Sequence, residues 1–388
     1  MKISLRHFFG YARVFVFIHS RCDRCIHMLG GFIHMNLARE KMTIIVIGLI
    51  IGIIAGTLVI AGNPANMGFC IACFIRDTVG GLGLHRAAPV QYIRPEIIGL
   101  LLGAFLLSLF RGEHAARGGS SPITRFILGF FVMIGCLMFL GCPFRMILRL
   151  AGGDWNAIFG LLGFASGIGV GVFFLNRGYT LKRTYTLTKL EGFVMPAVQL
   201  VILGLLLAAP AFIYFTEAGP GAKHAPVLIS LCAGLIVGAL AQYSRFCMVG
   251  GIRDFILFRE TKLLLGFVAV LVAAFIVNVS VGNFHPGFTG QPIAHADGLW
   301  NFLGMVLAGF GCVLLGGCPL RQIILTGEGN TDSAVTFLGL AAGAAFAHNF
   351  ALAASGNGPT MNGKIGVISG LIVVTIIAIV NTYQQRRA

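Results

Sequence analysis

Apolar runs separated by short polar loops dominate this chain. Stretches free of Asp, Glu, Lys and Arg extend from Met42 to Ile75, Phe126 to Phe144, Trp155 to Asn176, Gly192 to Thr216, Leu263 to Ala296 and Ser333 to Gly363. A helix needs about 20 apolar residues to cross a hydrocarbon core. The pattern therefore predicts spans over 43–61, 95–110, 125–141 and 155–175, and then a linker span over 193–215. Further spans follow over 227–243, 262–281, 298–316 and 333–352, with a last one over 364–380. The 95–110 segment is short for a full crossing, and several uncharged stretches hold one span plus extra uncharged backbone.

The pattern also repeats. Phe69-Cys70, four residues, then Ile75-Arg76-Asp77 returns as Phe246-Cys247, four residues, then Ile252-Arg253-Asp254. Gly135-Cys136, four residues, then Gly141-Cys142-Pro143-x-Arg145 returns as Gly311-Cys312, four residues, then Gly317-Cys318-Pro319-x-Arg321. The two offsets differ by one residue, so the chain reads as two homologous halves. Four spans plus one linker span make an odd number, so the second half enters from the opposite face. The expected fold class is an all-α polytopic membrane protein, two inverted repeats with re-entrant helices around a central waist. Its segments are a basic tail (1–41), a first membrane repeat (42–176), a basic loop with the linker span (177–226), a second repeat (227–355), and a C-terminal span with a basic tail (356–388).

Composition agrees with a membrane protein. The chain is 57% hydrophobic and 11% charged, against about 25% charged in ordinary globular domains. Its 54 glycines suit close helix packing and broken helices. The formal net charge of +15 sits mainly in short loops, the signature of cytoplasmic loops and not of a nucleic-acid surface. Loop charges put both termini in the cytoplasm; the 62–94 loop, with Arg76, Arg86 and Arg94, is discordant. Of the ten cysteines, eight lie in or beside apolar segments and read as reduced thiols. Cys22 and Cys25, near His19 and His27 in the basic leader, have zinc-like spacing but no second pair. The leader makes a poor signal peptide. It reads as a cytoplasmic tail, or as sequence ahead of a true start at Met35 or Met42.

Gly-Cys-Pro reads as a helix end, a break, and a short helix starting near the cysteine, with Pro143 and Pro319 in its first turn. Such helix starts direct N–H groups and positive dipole toward the break. Irregular backbone at membrane depth requires burial in protein or a cavity. Inverted halves bring Cys70 and Cys142 from outside and Cys247 and Cys318 from the cytoplasm, to meet near the midplane. Their polarizable sulfurs and weak S–H donors suit a soft anion carrying sulfur or selenium. Cys136 and Cys312 recur six residues earlier and face away from these. Cys73 matches Gly250 and gains no support from the repeat, and Cys232 reads as an apolar filler. Arg145 and Arg321 read equally as anion contacts and as anchors for carbonyls or interfaces. Arg76-Asp77 and Arg253-Asp254 read as structural or gating ion pairs. His348, inside an apolar segment, reads as a proton-coupling group or a packing histidine. No nucleotide-binding, hydrolase or metalloprotease motif occurs, so no catalytic residue, metal or cofactor is expected.

These motifs resemble the YeeE/YedE family of sulfur-type membrane transporters over nearly all of residues 43–355. Longer strings, Asn63-Pro64-Ala65-Asn66-Met67-Gly68, Gly83-Leu84-His85-Arg86-Ala87-Ala88, Gln91-Tyr92-Ile93-Arg94-Pro95-Glu96 and Phe284-His285-Pro286-Gly287-Phe288, resemble its YedE branch, associated with selenium metabolism. The resemblance implies an hourglass of inverted repeats in a bacterial inner membrane. It also implies that Cys70, Cys142, Cys247 and Cys318 hand a thiosulfate-like anion along by S–H hydrogen bonds, and that a TusA-like carrier acts in the cytoplasm. The leader does not match the family's usual start. The expected function is import of a selenium- or sulfur-containing anion, selenite or thiosulfate-like, without enzymatic chemistry. The alternative is a membrane thiol protein that accepts sulfur or selenium covalently, or that docks the carrier.

Overall fold

The structure is a computed structural model and describes residues 38–387. Most of the basic leader, including Cys22 and Cys25, lies outside the described residues. Helices follow in the order α1 (Ala38–Ile60), α2 (Ile71–Gly81), α3 (Pro95–Phe110), α4 (Pro122–Phe139), α5 (Pro143–Ala151), α6 (Asn156–Leu175) and α7 (Lys189–Ala208). The second half holds α8 (Val227–Ser244), α9 (Met248–Phe258), α10 (Lys262–Ser280), α11 (Gly298–Leu315), α12 (Pro319–Gly327), α13 (Thr331–Asn349) and α14 (Met361–Arg387). The only sheet among the described residues pairs two-residue strands, β1 (Arg117–Gly118) with β2 (Tyr185–Thr186). The protein is an all-α, multi-pass membrane protein. Nine helical segments among the described residues are long and apolar enough to span a membrane.

Those segments match nine of the ten expected spans. The tenth, 333–352, is helical as α13 but is diluted by Gly, Ala, His and the buried Asp332 in its first turn. The linker helix stops at Ala208, ahead of Pro210, earlier than its hydropathy suggests. The short 95–110 segment gains length because a 3₁₀ turn, Ala88–Val90, leads into it.

Glycine sets how the helices approach. A Cβ on Gly103 would lie 2.1 Å from the Leu235 carbonyl oxygen, and one on Gly163 would lie 2.1 Å from that of Phe302. Such backbone contact supplies the dispersion energy that helices in lipid need, since lipid removes the hydrophobic drive between them. The register of these contacts fixes direction. Gly99 meets Leu231 and Gly103 meets Leu235, so α3 and α8 run parallel. Gly163 meets Phe302 and Gly167 meets Val306, so α6 and α11 do too. Gly48 and Gly52 meet Gly266 and Ala273, and Gly339 and Gly343 meet Phe126 and Phe130, which adds the parallel pairs α1–α10 and α4–α13. Each pair joins one half of the chain to the other. At the centre, Gly135 meets Gly304 while Gly311 meets Val132, so α4 and its sequence counterpart α11 run antiparallel.

Candidate functional site

Four short helices begin at the four repeated cysteines. Cys70 is the N-cap of α2 and Cys247 that of α9. Each sulfur accepts the backbone N–H three residues on, from Cys73 and Gly250, at 3.4 Å in both cases. Cys142 and Cys318 are the N-caps of α5 and α12, with near-identical backbone angles and a proline in the first turn. Their thiols make no capping bond of this kind. The breaks ahead of them close in the left-handed region, at Leu140 (φ 59°) and Gly316 (φ 81°). The half-helix reading of Gly-Cys-Pro therefore holds in the fold. Leu140 is the costlier version, since a Cβ in that region costs roughly 1–2 kcal/mol relative to right-handed backbone.

The thiols gather in two groups. Cys70, Cys73 and Cys142 form one, with Cys70 in side-chain contact with both others. Cys73 also lies 3.9 Å from the Leu140 carbonyl and 4.0 Å from Arg145 Nη1. Cys247 and Cys318 form the other, where the Cys318 thiol and backbone N–H both approach the Cys247 sulfur. Cys136 and Cys312 lie within electrostatic range of each other, and of Cys70 and Cys247 respectively. The repeat-based discount of Cys73 missed a member of the first group. All seven of these thiols are buried, whereas Cys232 is exposed on the outer face of α8.

The two arginines expected as anion contacts have different surroundings. Arg145 is fully buried and donates to the carbonyls of Asn66, Leu140, Pro292 and Ile293, which ties the α4–α5 break to two loops. Arg321 instead forms an ion pair with Glu328 at 3.0 Å. Glu328 is 1% exposed and also faces Arg245 at 2.9 Å and Arg117 at 3.5 Å. Arg245 reaches on to Glu113 at 2.9 Å, and Arg111 bonds Glu113 from the other side. The Arg111 hydrogen bond holds the Glu113 carboxyl below the usual range. Sequence reading overlooked this network because its members are isolated charges in separate loops. Arg149 is a further omission: it pairs with Asp154 at 2.6 Å inside the protein.

The Arg-Asp motifs also diverge between the halves. Arg253 and Asp254 pair at 2.8 Å and stay partly exposed. Arg76 and Asp77 pair in full burial, and Arg94 adds a second guanidinium to Asp77 at 2.8 Å. His348 stacks on His85 with ring centroids 4.7 Å apart, and His85 Nε2 is 3.0 Å from the Arg76 carbonyl. Among the described residues, no cluster of His, Cys, Asp and Glu could hold a metal ion.

Paired, buried thiols at half-helix starts inside a bundle of membrane helices define a class: a polytopic membrane protein with a cysteine-lined interior. Residues 243–383 match the family described as Sulphur transport. The thiosulfate transporter TsuA of Escherichia coli (strain K12) is 33% identical over 107 residues. That alignment covers 26% of this chain and 29% of TsuA. The second half of the chain thus resembles sulfur-transport proteins, and the alignment spans less than a third of TsuA's length.

Proposed function

We propose that the protein imports a sulfur- or selenium-containing oxyanion, thiosulfate-like or selenite, across the bacterial inner membrane to serve selenium metabolism. One observation carries this reading: two groups of buried thiols sit at half-helix starts, with the buried Cys136 and Cys312 within electrostatic range of them. A soft anion moving along this line meets S–H donors from Cys70, Cys142, Cys247 and Cys318 and the positive ends of four short helices. Such contacts break readily, as passage requires. The antiparallel crossing of α4 and α11 supports inverted halves, with both termini cytoplasmic and the break at Leu140 on the outer side. Arg321, tied to Glu328, stands beside the inner pair. The similarity to TsuA supports thiosulfate as a substrate class, and the YedE-like strings support selenium.

The experiment is uptake of labelled thiosulfate and selenite, separately, into cells lacking other importers. Expression of the protein is expected to raise uptake of at least one anion. Cys142→Ala and Cys318→Ala, at equal membrane levels, are expected to lower it at least tenfold. Uptake unchanged by both variants would sink the cysteine path, and no uptake of either anion would sink the importer.

A second reading concerns hand-over to a small TusA-like sulfur or selenium carrier. A cleft of about 350 Å³ lined by Arg39, Arg111, Arg245 and Lys262 supports a docking surface for it. Charge reversal at Lys262 that leaves uptake and carrier loading intact would count against docking there.

A further inference from the structure

Sequence already hints at an excess of positive charge on the outer side, because the 62–94 loop carries three arginines where the loop pattern predicts few. The fold draws two of them inward. Arg76, Asp77 and Arg94 are 2%, 0% and 0% exposed. Two guanidinium groups share one carboxylate, so the triad holds one uncompensated positive charge in a buried place. Removing a charge from water costs several kcal/mol unless a partner offsets it.

The excess can be located. Arg94 is fully engaged: Nε donates to Asp77, Nη1 to the Lys223 carbonyl and Nη2 to the Pro220 carbonyl. It also lies over the rings of Phe74 and Tyr92. Arg76 donates only from Nε, to Asp77 at 2.8 Å. Its Nη2 is close to the same oxygen but makes no hydrogen bond. Arg76 is among the residues that line a cavity of about 390 Å³. His348 lines the same cavity, and its Nε2 is buried without a hydrogen-bond partner. The remaining wall is mostly apolar, including Leu140, Pro220, Ile293 and Ala353. Leu140 belongs also to the break whose carbonyl meets Cys73, so the cavity ends where the first thiol group begins.

We infer that this cavity is an outer binding site for the transported anion, with Arg76 as its charge partner and His348 as its second polar contact. The inference rests on the import reading and names the station ahead of the cysteines. The volume holds a small oxyanion with part of its hydration, being about that of a dozen waters. Its chemistry selects among anions. One cation and one histidine satisfy an oxygen-bearing, charged end. Apolar walls accept a weakly hydrated sulfur or selenium end, and they offer nothing to an anion that is hydrated on every side. Thiosulfate therefore binds better than sulfate, although both carry two charges. The second half lacks this arrangement, since the loop ahead of α10 is short and Thr261, not an arginine, caps that helix where Arg94 caps α3. The site is specific to the outer end.

The test is equilibrium binding to the full chain in lipid nanodiscs, by titration calorimetry with sodium thiosulfate, sodium selenite and sodium sulfate. The wild type is expected to bind thiosulfate at least tenfold more tightly than sulfate. Arg76→Gln is expected to weaken thiosulfate binding by tenfold or more. Ala353→Phe fills the cavity without touching the ion pairs and is expected to abolish binding while leaving the unfolding midpoint unchanged. Cys142→Ala is expected to keep binding while losing uptake. Wild-type binding retained in both Arg76→Gln and Ala353→Phe would overturn the site, as would uptake that saturates at concentrations where no binding registers. Binding that depends on Arg76 in a protein without uptake would keep the site and sink the import reading instead.

Discussion

At the scale of single residues, the same motif position does different work in each half. Arg145 and Arg321 are equivalent in sequence, yet one holds four carbonyls and the other a carboxylate. Arg145→Ala orphans buried acceptors, each costing about 1–3 kcal/mol. It is expected to lower stability by about 3 kcal/mol or more, read as a fall in unfolding midpoint and in folded yield. Arg321→Ala is expected to spare the fold and impair uptake, because Glu328 keeps Arg245 and Arg117 as partners. Equal thermal losses in the two variants would contradict this division. Leu140 makes a similar point. Its left-handed backbone would suit glycine, which its counterpart Gly316 has, so the leucine side chain is retained against a conformational cost. It is one of the apolar residues that line the cavity. Leu140→Gly is expected to let sulfate enter alongside thiosulfate, measured as a rise in labelled sulfate uptake.

At the scale of elements, much was legible because it is written in local chemistry. Apolar length predicts the spans, and a proline after a cysteine predicts a new helix start at Cys142 and Cys318. The Cys70 and Cys247 caps were placed by the repeat. The hidden features depend on contacts between distant segments. Glu328 meets Arg117 and Arg245 only after three loops come together, and Cys73 joins the thiols only because α2 lies against the α4–α5 break. A repeat argument cannot see either, since neither residue has a matching counterpart. The glycine pattern was readable in abundance but not in placement. Gly103→Ala would set a methyl 2.1 Å from a carbonyl oxygen, and is expected to destabilise by about 1–3 kcal/mol. Gly169 on α6 has open space around it, so Gly169→Ala is expected to be neutral or to stabilise by up to about 1 kcal/mol. Unfolding midpoints of the two variants, compared in one lipid environment, separate contact from abundance.

At the scale of the whole molecule, orientation decides what the two ends do. Arg76, Leu140, Pro220, Ile293 and His348 share one cavity, whereas Arg39, Arg111, Arg245 and Lys262 share a cleft formed by other loops. Parallel packing across the halves, with α4 antiparallel to α11, assigns alternate helix ends to opposite sides. Basic loops favour the cytoplasm, so on the proposed orientation the cleft would face inward and the cavity outward. Burial with Asp77 offsets one of the two charges of Arg76 and Arg94, which lessens the conflict that the 62–94 loop poses for loop-charge counting. This arrangement predicts that a fluorescent-protein reporter fused after Ala388 lights up in the cytoplasm. A cysteine introduced at Glu217, in a background where Cys232 is replaced, is expected to react with an impermeant maleimide from outside. One at Arg183 is expected to stay protected until the membrane is opened. The reverse labelling would turn the cavity toward the cytoplasm and convert the same path into one for export. Labelling of both sites from outside would contradict the alternation on which the inverted repeat depends.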